Sequence, residues 1–227
     1  MGNLYPGVEC RVLYNPLCFP TFSDLTETRA QVRDELGTHP DSVVIIQSSR
    51  LERWKGHTLL LNALAQMTEV PNWICWIIGG DQRPEESLYL AELKQQIRER
   101  GITDRVKFWG QRRDVPQLLV AADIHCQPNT GPEPFGNTFV EALYAGLPVV
   151  TTAMGGAEEI VDSSCGRLVA PGDVVGLADT LKELVANPLE RKRLGQGGPI
   201  RANQLCNPTR QLRELHQVLT EVIQKSA

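Results

Sequence analysis

Apolar runs of strand length alternate with helical stretches along most of this chain. The sequence predicts strands near residues 43 to 47, 73 to 79, 105 to 109, 123 to 127, 148 to 152 and 166 to 169. Helical patterns separate the strands, and amphipathic helices over residues 177–185 and 210–223 close the chain. Alternation of this kind predicts an α/β fold, with a parallel sheet of about six strands covered by helices on both faces.

The first forty residues follow a different pattern. Pro6, Pro16 and Pro20 interrupt them, and a short helix is predicted around Glu27 to Leu36. The rest of the chain has no internal repeat and no second domain boundary. We therefore predict two regions: a lead-in segment with a short helix over residues 1–38, and the sheet domain over residues 39–227.

Composition places the chain among ordinary globular proteins, with 41% hydrophobic and 22% charged residues. A formal net charge of -4 argues against a general nucleic-acid binder, whose phosphate contacts need an excess of Lys and Arg. The sequence has no apolar stretch of membrane-spanning length and no signal-peptide pattern, so we expect a cytoplasmic protein without an integral membrane segment. The cysteines form no Cys-x-x-Cys pair and fit a reducing compartment: Cys10, Cys18, Cys75, Cys126, Cys165 and Cys206.

The segment EPFGNTFVE places two carboxylates, Glu133 and Glu141, eight positions apart. Pro134 and Gly136 favour a turn, and residues 138–145 have a helical pattern, so Glu133 is predicted in a loop and Glu141 in the first helical turn. Free backbone N–H groups at the start of that helix would attract an anion. Ionised carboxylates accept hydrogen bonds from hydroxyls. The pattern indicates a ligand with both phosphates and hydroxyls, such as a nucleotide sugar.

Plainer interpretations of these two carboxylates stay open. Thr138 and Glu141 also fit a capping box, in which the Glu side chain bonds back to a backbone N–H and stabilises only the helix. Glu133 by itself would more often be a solvated loop charge, because Glu is rarely buried unless it is paired.

A loop after the first predicted strand supplies positive charge. Arg50 and Lys55 follow the buried run 43–46, which places them at the carboxyl end of a strand, where open α/β sheets bind ligands. Arg presents a rigid bidentate fork to phosphate, and Lys presents a mobile point charge. The two residues predict a diphosphate site, whereas Arg53 in the same loop is more typical of a solvated charge.

Six short motifs complete the pattern: Arg50-x4-Lys55-Gly56, Gly79-Gly80-Asp81, Val106-Lys107-Phe108-Trp109-Gly110, Glu133-x7-Glu141, Gly155-Gly156-x2-Glu159 and Gly166 to Asp173. In their order and spacing they resemble the family 4 (group 1) glycosyltransferases, and the resemblance runs from about Val12 to Ala186. Six motifs in series make chance agreement a poor explanation.

The resemblance implies a GT-B enzyme, in which two Rossmann-like domains face each other across a cleft. This chain is similar to the C-terminal, donor-binding half, with residues 1–38 as the interdomain linker and lead-in helix. The N-terminal acceptor domain is absent, so turnover by this chain alone is not expected, and any peripheral membrane association would come through the absent half. The family implies a UDP- or GDP-linked donor and transfer with retention, without metal or cofactor. The absence of any Asp-x-Asp sequence agrees with the last point.

Site roles also follow from the resemblance. Arg50 and Lys55 would hold the donor diphosphate and offset the charge that grows there as the glycosidic bond breaks. Glu133 would face the sugar ring, and Glu141 would accept hydrogen bonds from the ribose. The other donor-binding positions are Phe135, Gly136, Asn137 and Thr138 through their backbone N–H groups, Gly80, and Val106 to Phe108 beside the base, with Arg112 stacked on it.

Two further features qualify this picture. The loop after Gly80, from Asp81 to Pro84, is longer than is usual in the family, which would alter the base or sugar pocket. The four histidines are too scattered to form a metal site, and His125, inside an apparent strand, is expected to have a structural role.

Three rival functions fit parts of the pattern. A glycoside hydrolase would use Glu133 and Glu141 as paired carboxylates, but it gains nothing from the two cations, and a helix start would lower the pKa of Glu141. An NAD-dependent oxidoreductase needs Gly-x-Gly-x-x-Gly after its first strand, where this chain has Ser48-Ser49-Arg50. The serious alternative is a non-catalytic nucleotide-sugar-binding module that needs a partner chain or its missing half.

Overall fold

The computed structural model describes residues 10–80 and 83–226. Within them, six strands form one parallel sheet, β1 to β6: Val43–Ser48, Trp73–Ile78, Val106–Gly110, Ile124–Gln127, Val149–Thr152 and Gly166–Val169. Their order across the sheet is β3-β2-β1-β4-β5-β6. The six predicted strands and the Rossmann-like α/β fold are confirmed. The order reverses between β1 and β4, where α/β sheets open a crevice beyond the carboxyl ends of the strands.

Helices cover both faces of this sheet. They are α1 to α9: Leu25–Glu35, His57–Ala65, Pro84–Glu99, Val115–Ala121, Asn137–Tyr144, Ala157–Ile160, Val174–Ala186, Pro188–Cys206 and Pro208–Ser226. A short 3-10 turn, Arg53–Lys55, precedes α2. The longer loop predicted after Gly80 includes Asp81 and Gln82, which lie outside the described residues, as do the first nine residues of the predicted lead-in segment.

Strand β1 shows why the strands have unbroken apolar runs. Val43 and Ile45 belong to the core on one face, with residues of α2, α3 and α7. Val44 and Ile46 belong to the core on the other face, with residues of α1, α4, α5 and α8. A strand covered on both faces has no position at which a polar side chain would reach water.

The predicted short lead-in helix is α1, which packs against α4. Arg29 and Arg33 both form ion pairs with Asp123, at 2.6 and 2.7 Å. Val32 is buried in the core on this face. Helix α1 is therefore part of the folded unit, whereas residues 10–24 contain one bend and no helix or strand.

The sequence does not predict helix α8, because Gly195, Gly197 and Pro199 are poor residues for a helix interior. The glycines permit close packing. A Cβ at Gly195 would lie 2.4 Å from the carbonyl oxygen of Gly146, and one at Gly197 would lie 2.1 Å from that of Ser164. The close approach of α8 to its neighbours therefore overrides helix propensity.

Helix α9 ends the described chain and leaves an apolar stripe exposed: Leu212, Leu215, Leu219, Val222 and Ile223. Its Glu221 forms an ion pair with Arg11 at 2.7 Å. Among the described residues, no helix combines the length and the apolar character needed to cross a bilayer.

Candidate functional site

A cleft lies at the carboxyl end of β1, beside the start of α5. It consists of two adjoining cavities of about 300 and 310 Å³ that share Ser48, Ser49, Arg50 and Thr138. The first, here called the Glu141 half, is also lined by Ile78, Gly79, Gly80, Gln111, Arg112, Val115 and Glu141. The second, the Glu133 half, is also lined by Lys55, Gln127, Glu133, Pro134, Phe135, Gly136 and Asn137. The cleft therefore occupies the crevice that the strand order predicts.

Glu133 is the most heavily bonded carboxylate of the cleft. Its Oε2 accepts hydrogen bonds from Lys55 Nζ at 2.7 Å, from Asn129 Nδ2 at 3.1 Å and from Gln127 Nε2 at 3.5 Å. The residue is only 7% exposed. Glu133 is therefore not the solvated loop charge of the plainer interpretation. Gln127, the last residue of β4, and Asn129, two positions later, were missed from the sequence. Both lie at the same sheet edge as the predicted cations, and that placement could have identified them.

Lys55 is held in place by the turn that precedes α2. Its carbonyl accepts a hydrogen bond from Gln47 Nε2 at 2.9 Å, and its Nζ lies 3.9 Å from the centre of the Trp54 ring. Gly56 follows with φ 76°, and a Cβ there would lie 1.7 Å from the carbonyl oxygen of Pro128. The loop thus requires glycine next to the cation, which fixes where the Lys55 backbone can lie.

Arg50 lies where the two halves of the cleft meet. Its side chain is 55% exposed and forms an ion pair with Glu52 at 3.0 Å. An exposed pair of this kind contributes little stability, so Arg50 can exchange Glu52 for a phosphate at small cost.

The start of α5 presents unused backbone donors to the Glu133 half. Gly136 is the N-cap residue, with φ 99° and no side-chain cap bond. The backbone N–H groups of Gly136, Asn137 and Thr138 find no acceptor among the described residues. Three free donors at a helix start form an anion site.

The capping-box interpretation is wrong. Thr138 is the second residue of α5, and its hydroxyl donates to the carbonyl of Ser48 at 3.0 Å. It also lies 3.2 Å from Nε2 of His125, which is fully buried and packs edge-on against Phe139. Burial lowers the pKa of His125 to about 3, so the ring is neutral at ordinary pH. These contacts tie the helix start to β1 and β4.

Glu141 lies in the second turn of α5, not in the first turn as predicted. The helix begins at Asn137, one residue before the predicted start. Its half-buried carboxylate has no hydrogen-bond or ion-pair partner among the described residues. Burial raises the pKa of Glu141, so the expected lowering by the helix start is also wrong: desolvation outweighs the helix dipole, which acts mainly within the first turn. An unpartnered acceptor in a cleft is suited to ligand hydroxyls.

The cleft excludes two of the residues that were predicted to lie beside the base. Val106 and Phe108 do not line the cleft, because Val106 is buried beneath the helices and Phe108 packs against the same core. Gly80 lines it, and so does Arg112, in the loop that follows β3. Parallel strands present their ends, not their interiors, to the crevice, which is the physical reason for the correction.

Arg112 is held by two carboxylates. Its guanidinium pairs with Asp114 at 2.6 Å and with Glu35 at 2.8 Å. Gly80 lies close beside the same loop, where a Cβ would be 2.8 Å from that of Gln111. A planar group fixed in this way forms part of the wall of the Glu141 half. Stacking of Arg112 on a base stays a prediction.

The lead-in segment touches the cleft loop. Tyr14 donates its hydroxyl hydrogen to Glu159 at 2.9 Å, and its ring centre is 5.8 Å from that of Phe135. The next residue, Asn15, donates to Oδ1 of Asn137 at 3.3 Å. Among the described residues, no three His, Cys, Asp or Glu side chains are placed to share a metal ion.

Comparison with known proteins identifies similar chains. The family described as "Glycosyl transferases group 1" matches residues 28–201. The lipopolysaccharide core biosynthesis glycosyltransferase LpsE of Rhizobium meliloti is 29% identical over 84% of this chain and 52% of its own length. The D-inositol 3-phosphate glycosyltransferase of Xylanimonas cellulosilytica is 34% identical over 85% of this chain and 44% of its own.

A solved structure gives the same result. The Anabaena protein Alr3699/HepE, crystallised with UDP and glucose, matches with a TM-score of 0.82 and 32% identity over 92% of this chain and 56% of its own. This chain spans about half the length of these relatives. The family match, the sequence similarities and the shared fold show that the chain belongs to the group 1 glycosyltransferases, with the Rossmann-like architecture of GT-B enzymes.

Proposed function

We propose that this chain is the C-terminal donor-binding half of a retaining, metal-independent glycosyltransferase, and that its cleft binds a nucleoside diphosphate sugar. The supporting observation is the order of groups along the cleft. An unpartnered carboxylate, Glu141, lies in one half, Arg50 lies at the junction, and Lys55 and Glu133 lie in the other half beside the free N–H groups of α5. Ribose hydroxyls, diphosphate and sugar occur in the same order in such a donor.

Each group has a task in this proposal. Arg50 and Lys55 bind the diphosphate. They also stabilise the negative charge that develops on it as the bond to the sugar breaks, and stabilisation of such charge is usually a large contribution to catalysis. The N–H groups at the start of α5 bind phosphate or sugar oxygens. Glu133 accepts hydrogen bonds from the sugar. Among nucleotides, UDP is the first to test, because the Anabaena relative was crystallised with UDP and with UDP-glucose.

A thermal-shift series tests the proposal with UDP, GDP and ADP, their sugar conjugates and the free nucleosides. A ligand at about 100 times its dissociation constant adds roughly 2.7 kcal/mol to the free energy of unfolding. We expect a rise in melting temperature with one base's diphosphates and little with the nucleoside. Arg50→Ala should remove most of that rise.

The matched control is Arg53→Ala, in the same loop, because Arg53 pairs with Glu92 outside the cleft. It should leave the rise unchanged. Equal weakening of diphosphate and nucleoside by Arg50→Ala would contradict its assigned role. The absence of a shift with any nucleotide would contradict donor binding by this half alone.

A non-catalytic binding module is the second candidate function. The observation that favours it is that the groups of the described cleft are all assigned to a donor and none to an acceptor. Donor binding and glycosyl transfer should both be measured in a chain that carries both halves. Binding without transfer there would favour the non-catalytic module over the glycosyltransferase. The hydrolase is not favoured, because Glu133 and Glu141 line different halves of the cleft and Glu133 is paired with Lys55.

A further inference from the structure

A second concave site lies at the β3 edge of the sheet, outside the cleft. It is a groove of about 320 Å³ between α3 and β3, lined by Lys94, Ile97, Arg98, Thr103, Val106, Lys107, Phe108 and Trp109. It shares no lining residue with either half of the cleft. We call it the edge groove.

Three cations are among the residues that line the edge groove. Lys94 and Arg98 lie one turn apart on α3, and Lys107 lies on β3. None of the three has an ion-pair or side-chain hydrogen-bond partner among the described residues. Most other cations of the chain, by contrast, have a partner, as Arg53 and Arg112 do.

No carboxylate offsets these charges at the groove. Its lining includes no Asp or Glu, and Asp104, next to Thr103, is not part of it. The whole chain carries a formal net charge of -4. A general excess of basic residues therefore does not explain why three unpaired cations line one groove. Unpaired like charges repel one another, and a bound anion would relieve that repulsion.

The lining and the volume of the groove limit which kinds of ligand would fit it. Ile97, Phe108 and Trp109 contribute apolar side chains to the lining, which suits a carbon skeleton attached to the charged group. A volume of about 320 Å³ is at the lower end of small-molecule sites. A phosphate ester carries roughly two negative charges at neutral pH and several acceptor oxygens, enough to engage more than one cation.

We propose that the edge groove is a second ligand site, which binds a phosphate ester or diphosphate through the cations of its lining, Lys94, Arg98 and Lys107, with the organic part of the ligand against the apolar side chains of the same lining. Soluble phosphorylated metabolites and lipid headgroups share this chemistry. The proposal is independent of donor binding in the cleft.

A site-specific titration tests it. The indole N–H signal of Trp109, assigned by Trp109→Phe, is followed by NMR as inorganic pyrophosphate is added. The titration uses the Arg50→Ala background, so that the cleft does not compete for the probe. We expect a saturable shift, with affinity about tenfold weaker after Lys94→Ala and Arg98→Ala are combined, as the loss of two exposed charge contacts predicts.

The matched control combines Lys192→Ala and Arg213→Ala, two exposed cations on α8 and α9 that also have no ion-pair partner in the described part of the chain. It removes the same net charge from outside the groove. Equal weakening by both double variants would reduce the effect to overall charge and overturn the proposal.

A parallel arm measures cosedimentation with phosphatidylcholine vesicles that contain phosphatidylglycerol. Groove-dependent binding of pyrophosphate without vesicle binding supports a soluble ligand. Vesicle binding that is lost in the groove variant supports a lipid headgroup. The absence of both overturns the proposal.

Discussion

In the proposed function, the ion pair between Lys55 and Glu133 lies where the diphosphate and the sugar of the donor meet. Their side chains are only 12% and 9% exposed. A diphosphate must therefore compete with Glu133 for Lys55, and Glu133 must then find new donors among the sugar hydroxyls. In the proposed function, a diphosphate bound to Lys55 therefore frees Glu133 to bind the sugar.

Glu133→Gln tests this coupling. Gln keeps the shape of Glu but removes the charge that holds Lys55, so we expect UDP to bind about tenfold more tightly. We also expect the variant to lose the difference in affinity between UDP-glucose and UDP. Isothermal calorimetry measures both affinities, and Glu92→Gln, outside the cleft, is the control. Weaker UDP binding by Glu133→Gln would show that the pair instead holds Lys55 in its binding position.

Glu141 should make stability depend on pH. Its pKa is raised in the folded state by burial, from an ordinary value of 4.5. The folded state thus binds the proton more tightly than the unfolded state does, and this contribution is fully present below pH 4.5 and lost as pH rises through the raised value. Glu141→Gln should therefore be more stable than the parent at neutral pH, with the gap closing below pH 4.5.

Denaturant unfolding at several pH values measures this gap, and Glu158→Gln on the exposed side of α6 is the control. A large loss of helix content in Glu141→Gln would restore a helix-stabilising role that the structure does not support.

Helix α8 forms because of its tertiary contacts, although its sequence has a low helix propensity. Gly195→Ala should destabilise the fold by roughly 1–3 kcal/mol, because its Cβ would lie 2.4 Å from the carbonyl oxygen of Gly146. Helix propensity alone predicts the opposite sign, a gain of about 1 kcal/mol. Denaturant unfolding measures the change. Gln196→Ala, at the next and exposed position, should stay within about 0.5 kcal/mol of the parent; if both variants were stabilised, the close packing would be refuted.

The strands could be predicted because burial on both faces leaves a signal at every position. Val44 and Ile46 need an apolar environment on one face, and Val43 and Ile45 need one on the other. Helix α8 could not be predicted, because the contacts that require its glycines are with segments distant in sequence, and a local pattern contains no information on them.

The sequence predicted which loops form the candidate site, but it did not predict the side-chain contacts within the site. Arg50, Lys55 and Glu133 were found because the carboxyl ends of parallel strands meet at one edge. The contact of the Thr138 hydroxyl with the carbonyl of Ser48 was not predicted, and the capping-box alternative gave no indication of it, because a local motif contains no information on a distant strand. Val106 was placed beside the base because a strand's period does not reveal where the crevice begins.

At the scale of the whole molecule, the proposed function gives this chain the donor side of a glycosyl transfer. It spans about half the length of its relatives. We expect this chain to bind a nucleotide sugar without transferring it, since the acceptor site is assigned to the other half. Release of UDP from UDP-glucose, followed with and without candidate acceptors, measures turnover. Transfer at an enzyme-like rate by this chain alone would contradict the proposal that the acceptor site lies in the other half.

The contacts of Tyr14 and Asn15 place the incoming polypeptide against the mouth of the cleft. Tyr14 touches Phe135 and Glu159, and Asn15 bonds to the first residue of α5, Asn137. A displacement of this segment would act on the Glu133 half of the cleft and on α6 through these two hydrogen bonds and one ring contact, and not through the sheet. A movement of the loop before α5 would therefore be coupled to a movement of Tyr14 and Asn15.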